Sequence, residues 1–368
     1  MTVSEVTNIR AALKHNNRVS KIKLENDGNL LLRHSLAEMQ EPFPMLDYLD
    51  IRDRTEFYAR PPEILPDSFL GGSAPRLVHL GFGGIPFPGL PKLLLSANHL
   101  EDIYIWENPP HISPEAMVAS LCTMKHFQSL YIGFQLDSNY HRASQLPHPI
   151  TRIVLPALNR LRLECTVNYV EDLVAGLDAP SLELMEMLCL SSFDFDFSEL
   201  PQFISRIEAF EISDQVQLFT GTGYFKFLLS ISRKDRAEPL LTFIGHSETL
   251  WSALPPLQFE RLEIHEGRPM SRDLEMDAES ELRELSHRFT AVKDLFLDSM
   301  AAVRVGDALT TFAEESMTEL FPALQNIFFE EFPRLPHIQE AIFQFIAARQ
   351  FTDHPVTLHN WDYWGGGQ

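Results

Sequence analysis

Apolar residues recur along most of the chain as a hexad, L-x-x-L-x-L, in which the second and third leucine-type positions alternate with polar ones. The stretch 158–187 shows one period. It opens Leu158-Asn-Arg-Leu161-Arg-Leu163, runs on through a helix-like segment from Tyr169 to Leu177, and breaks at Asp178-Ala-Pro180-Ser. The hexad then returns as Leu182-Glu-Leu-Met185-Glu-Met187. Alternation at a period of two predicts a strand, and the segment between the hexads predicts a helical return. Such a unit cannot bury its apolar side alone and needs stacked neighbours.

Eleven hexads start at Val19, Leu46, Leu77, Leu100, Phe127, Leu158, Leu182, Ile207, Phe259, Val292 and Leu324. The first eight starts are separated by 23 to 31 residues, a spacing close to the roughly 20–29 residues of leucine-rich repeats. The gap of 52 from Ile207 to Phe259 is twice 26 and predicts one unit without its signature; steps of 33 and 32 follow. Six hexads (Leu46, Leu77, Leu158, Leu182, Phe259 and Leu324) have a proline within the four preceding residues. Proline ends a helix and holds the residue before it extended, as re-entry into a strand requires. The fold class predicted is α/β: a single irregular solenoid, with a curved parallel sheet on a concave face and helices and loops on the convex face.

The remaining pattern fills in the elements. Ser4 to Leu13 predicts a short helix capped by Ser4. Return elements are predicted at Leu90–Ser96, at Ser113–Leu121 with Ser113 as N-cap and Pro114 at N1, and at Phe197–Ser205. Val216–Phe219, Gly221-Thr-Gly223 and Phe225–Ile231 predict a strand, a glycine turn and a strand. His337–Arg349 predicts an amphipathic helix and Val356–Leu358 a last strand, with Trp361 and Trp364 covering the open end. The organisation expected is a lead-in at 1–18, a solenoid at 19–364 and a disordered tail at 365–368.

Composition narrows the function. Hydrophobic residues make up 45% of 368, and 27 phenylalanines suit wide, flat core layers. Cys122, Cys165 and Cys189 form no C-x-x-C pair, which predicts reduced thiols and a cytoplasmic or nuclear setting. Neither a secretory h-region nor a long apolar span is present, so no membrane partner is expected. The net charge of −21 opposes binding to phosphate backbones, so no nucleic acid is expected either.

Several stretches together resemble the repeat region of fungal F-box/leucine-rich-repeat-like proteins: Phe69-Leu-Gly-Gly-Ser-Ala-Pro-Arg-Leu77, Ser113-Pro-Glu-Ala-Met117, Tyr169–Pro180, Phe289-Thr-Ala-Val292 and Phe345-Ile-Ala-Ala-Arg-Gln350. The resemblance runs from about Val19 to Trp361. It implies the substrate-binding part of a cullin–RING ubiquitin ligase receptor, in which an N-terminal F-box grips a Skp1-type adaptor and the repeats hold a target protein. Only 18 residues precede the first hexad. Pro62–Leu70 mimics the apolar core of an F-box, but Gly71-Gly-Ser-Ala-Pro75 follows at once, and the stretch reads as an inter-repeat segment. Adaptor binding is thus expected only of a longer form carrying an F-box. A stand-alone scaffold or decoy receptor is the alternative.

Motifs for chemistry are sparse. H-E-x-x-H, the phosphate-binding P-loop, G-x-S-x-G and spaced Cys/His ligands are all missing, so no catalytic residue, metal or cofactor is expected. Gly221-Thr-Gly223 reads as a tight turn. Asp194 and Asp196 in Phe193-Asp-Phe-Asp-Phe197 share a face and mark the remote alternative of a carboxylate-dependent hydrolase. His265, His287 and His337 have no sequence partner that suggests a triad. The expected functional surface is the outward row of side chains at hexad positions three, five and seven. It carries Tyr104, Trp106, Tyr131, Arg160, Arg162, Arg261 and His265 as predicted protein-binding residues, types enriched at interface hot spots.

Overall fold

A computed structural model describes residues 8, 11–26, 36, 39–53, 64–85, 87–107, 112–134, 152–189, 198–207, 215–220, 227–232, 241–245, 259–266, 278–312, 317–350 and 355–360. The chain is α/β, with mostly parallel strands alternating with helices. It divides into two compact units, Met1–Ala209 and Phe210–Gln368.

In the first unit the strands are β1 (Lys21–Asn26), β2 (Tyr48–Asp53), β3 (His79–Gly83), β4 (Asp102–Glu107), β5 (Ser129–Phe134), β6 (Ile153–Val154), β7 (Arg160–Cys165), β8 (Leu177–Asp178) and β9 (Leu184–Cys189). β1-β2-β3-β4-β5-β7-β9 form a parallel sheet in chain order, and β6 pairs with β8 in a separate short ladder. The hexads set the register. Ile22, Leu49, Leu80, Ile103, Leu130, Leu161 and Met185 lie in one row, and Leu24, Ile51, Phe82, Ile105, Ile132, Leu163 and Met187 in the next. All of these side chains are buried, as are the first hexad positions from Leu46 onward. Each is worth about 1.5–3 kcal/mol relative to an exposed position, so a one-residue slip in any strand would forfeit a whole row.

Entry into each strand uses one recurring hydrogen-bond pattern. The carbonyl of the second hexad residue accepts two successive N–H groups of the next strand: Ser20 from Asp47 and Tyr48, Asp47 from Val78 and His79, Val78 from Glu101 and Asp102. Glu101, Gln128 and Asn159 continue the series, and Glu260 and Lys293 repeat it in the second unit.

The returns form helices α1 (Leu90–Ser96), α2 (Pro114–Leu121), α3 (Val167–Ala175) and α4 (Leu200–Ile204), each packed on the next. Ser113 caps α2 as expected, its hydroxyl accepting from the Ala116 N–H at 3.2 Å, with Pro114 at the first position. The F-box-like run ends in a 3-10 turn, Phe69–Gly72, and its Leu65, Phe69 and Leu70 are buried.

The second unit contains β10 (Gln215–Thr220), β11 (Phe227–Ser232), β12 (Leu241–Gly245), β13 (Arg261–Glu266), β14 (Asp294–Leu297), β15 (Asn326–Phe329) and β16 (Thr357–Asn360), with helices α5 (Ala278–Arg288), α6 (Ser299–Leu309) and α7 (Pro336–Arg349). The interval of 52 residues does not hold one more unit of the same kind. It holds the antiparallel series β12-β11-β10, with β10 pairing parallel to β13. The strand–turn–strand reading is met by β10 and β11, whereas its glycine turn lies outside the described residues, as do Asp194, Asp196, Trp361, Trp364 and the tail. β13 to β16 are parallel, and Leu262, Leu295, Ile327 and Leu358 form one row. Among the described residues no helix is long and apolar enough to cross a membrane.

Candidate functional site

Where inward rows are leucine-type, the outward rows of the first unit carry polar and aromatic groups. The row at hexad position five reads Lys23, Asp50, Gly81, Tyr104, Tyr131, Arg162, Glu186 from β1 to β9. The strands stand a few ångströms apart, so flat side chains on adjacent strands stack. Tyr104 and Tyr131 lie 4.3 Å apart between ring centres at 11°, and Trp106 stands 6.2 Å from Tyr131, also at 11°. Guanidinium groups close both ends: Arg162 lies over Tyr131 at 5.1 Å and Arg52 over Tyr104 at 4.5 Å.

Glycines make this stack possible. Arg52 on β2 reaches Tyr104 on β4 past Gly81 and Gly83 of β3, which put no side chain in its way. A Cβ on Gly81 would lie 2.7 Å from Asp50 Oδ1, and one on Gly133 would lie 2.3 Å from Trp106 Cε3. Each arginine is also fixed by an acid two residues away. Arg52 Nε donates to Asp50 at 2.8 Å, and Arg162 Nε to Glu164 at 2.9 Å, with Glu186 a further 3.1 Å partner. Burial works against the Arg162 charge, yet the hydrogen bond and charge of Glu164 and the charge of Glu186 outweigh it and raise the pKa. The Tyr131 phenol is pushed up, first by burial and then by the Glu164 charge. Asp50 and Glu164 are buried although their positions point outward, because the arginines lie over them.

The second unit repeats the device. Arg261 lies 3.9 Å over Phe296, Phe296 stacks on Phe328 at 4.2 Å and 4°, and Phe328 on His359 at 4.9 Å. Arg261 is held by buried Glu263 at 2.6 Å. His265 sits between Glu263, at 3.5 Å, and Asp298, at 3.9 Å.

The seven predicted residues therefore fall into two groups. Tyr104, Trp106, Tyr131 and Arg162 are brought into one array, with Arg160 beside it on β7, whereas Arg261 and His265 belong to the second unit. Sequence reasoning missed Gly81, Gly133, Phe328 and His359. Glycine inside a strand marks a close approach, which was the available signal for the first two. Among the described residues no group of three or more His, Cys, Asp or Glu is placed to hold a metal ion. His287 and His337 sit on helices, His337 beside Asp307 at 3.5 Å. Compared with known proteins, the chain matches no family model and no curated sequence.

Proposed function

We propose that the chain is a non-catalytic protein-recognition module, an irregular leucine-rich-repeat-like solenoid whose outward strand face holds a target protein. The observation that carries this reading is the Arg52–Tyr104–Tyr131–Arg162 stack with Trp106 beside it, a partly exposed aromatic and arginine array on adjacent strands. Its side chains are already locked by stacking and by ion pairs, so binding orders little and loses little entropy. Tyr, Trp and Arg are also the types that dominate interface energetics.

Placement is the mechanism. The partner is held on this face while machinery docked elsewhere modifies it, which is the role of the substrate-binding part of an F-box-type ubiquitin ligase receptor. A stand-alone scaffold or decoy is favoured instead by the glycine-rich stretch Gly71–Pro75, which follows the F-box-like run at once. Proximity labelling in cells identifies the partner. Its capture is expected to fall on Trp106→Ala and Arg162→Ala with the thermal midpoint little changed; undiminished capture overturns the reading. Co-precipitation of purified Skp1 separates the receptor, which binds it in a form carrying an F-box, from the scaffold, which does not.

A further inference from the structure

The outward row at hexad position three reads Asp102, Ser129, Arg160, Leu184 across β4, β5, β7 and β9. Ser129 is the shortest of the four, and a depression of about 320 Å³ lies over it. Tyr104, Tyr131, Arg160, Arg162, Leu184 and Glu186 form its walls. The other guanidinium on its wall, that of Arg162, is already matched. Arg162 is shared by Glu164 and Glu186, and Asp102 lies 3.7 Å from His79 Nδ1. Arg160 differs: it is exposed, and neither its guanidinium nor the Ser129 hydroxyl has a hydrogen-bond or ion-pair partner among the described residues. In a chain with 51 acidic residues against 30 Lys and Arg, an unmatched cation on the wall of a depression singles out what it would receive.

Resting on the reading of this face as a recognition surface, we propose that the depression over Ser129 takes an acidic side chain of the bound protein, its carboxylate paired with Arg160. A planar carboxylate accepts two N–H groups of a guanidinium fork. The Ser129 hydroxyl supplies a further donor, and Leu184 and the tyrosine rings cover the methylene groups. One negative charge matches one available cation. A phosphoryl group brings nearly two charges and would meet Asp102 and Glu186 with a single cation to offset them.

Binders selected from a displayed random-peptide library on the full chain provide the probe. Each is titrated against the native chain, Trp106→Ala and Arg160→Glu, with thermal midpoints checked in parallel. Peptides that Trp106→Ala weakens are expected to carry an Asp or Glu whose replacement by Ala weakens binding about tenfold or more. Arg160→Glu is expected to cost as much, and changing that acid to Lys to restore binding to Arg160→Glu. Peptides sensitive to Trp106→Ala but indifferent to Arg160→Glu overturn the carboxylate site and leave the recognition face standing. No selected peptide, or none that Trp106→Ala weakens, overturns both. A phosphoserine version that binds more tightly than the Asp or Glu form overturns the choice of carboxylate.

Discussion

Single residues carry more of this fold than their types suggest. Arg349 is buried near the end of α7, and its guanidinium donates to five carbonyl oxygens, those of Thr318, Leu320, Phe321, Pro322 and Leu324, at 2.9 to 3.2 Å. Burial lowers its pKa, yet the cation is retained because five carbonyl dipoles replace water. Arg349→Met leaves those carbonyls without their donor and is expected to lower stability by about 3–5 kcal/mol, read by denaturant unfolding. Gly133→Ala places a methyl against Trp106 and is expected to cost about 1–3 kcal/mol and to change the indole emission. Tyr131 predicts a pH effect. Its pKa is raised above the ordinary 10.0, so the stability it contributes is complete below about pH 10 and is lost as the pH rises through the folded-state value. In an alkaline titration followed by phenolate absorbance, the Tyr131 phenol is expected to ionise only on unfolding, and Tyr131→Phe to reduce the amplitude of that late step.

At the scale of elements, much was legible and the omissions have physical causes. Ten of the eleven apolar hexads became strands, because each inward position is covered by the same position of its neighbours; the hexad at Ile207 runs on outside the described residues. Proline breaks and a serine cap delimited α2 for local reasons that propensity captures. Helices α5 and α6 went unpredicted because both lie in the stretches between widely spaced hexads, where no break or repeat drew attention; α6 is capped by Asp298, which accepts from Met300 and Ala301 N–H. Likewise β12 has no hexad, since antiparallel pairing with β11 imposes no such spacing. The stack was half legible: Tyr104, Trp106, Tyr131 and Arg162 were named as binding residues, whereas Arg52 was not, and the acids that hold the arginines depend on burial that arises only on folding. Contacts between returns were invisible as well. Glu171 of α3 is buried and accepts from the Ser198 N–H and hydroxyl, the Glu199 N–H and the Leu200 N–H, at 2.8 to 3.2 Å, capping α4 from its neighbour. Glu171→Ala is expected to cost about 2–4 kcal/mol and to speed amide exchange in α4 ahead of α2, measured residue by residue.

For the molecule as a whole, the excess of acid sets the response to salt. With a net charge of −21, self-repulsion opposes the compact state, and screening relieves it. The thermal midpoint is expected to rise between low and physiological ionic strength in a salt series; a fall would mean that the exposed ion pairs, such as Arg162 with Glu186, outweigh the repulsion. The shared carbonyls at the strand entrances have a consequence of another kind. The first residue of each strand from β1 to β9 in the main sheet is aligned without offset, although the intervals between them range from 23 to 31 residues. Alignment is indexed at the doorway of each strand and owes nothing to the length of the path leading there. The connecting paths are therefore free to lengthen or shorten over generations, or to receive a grafted sequence, while the outward array keeps its spacing.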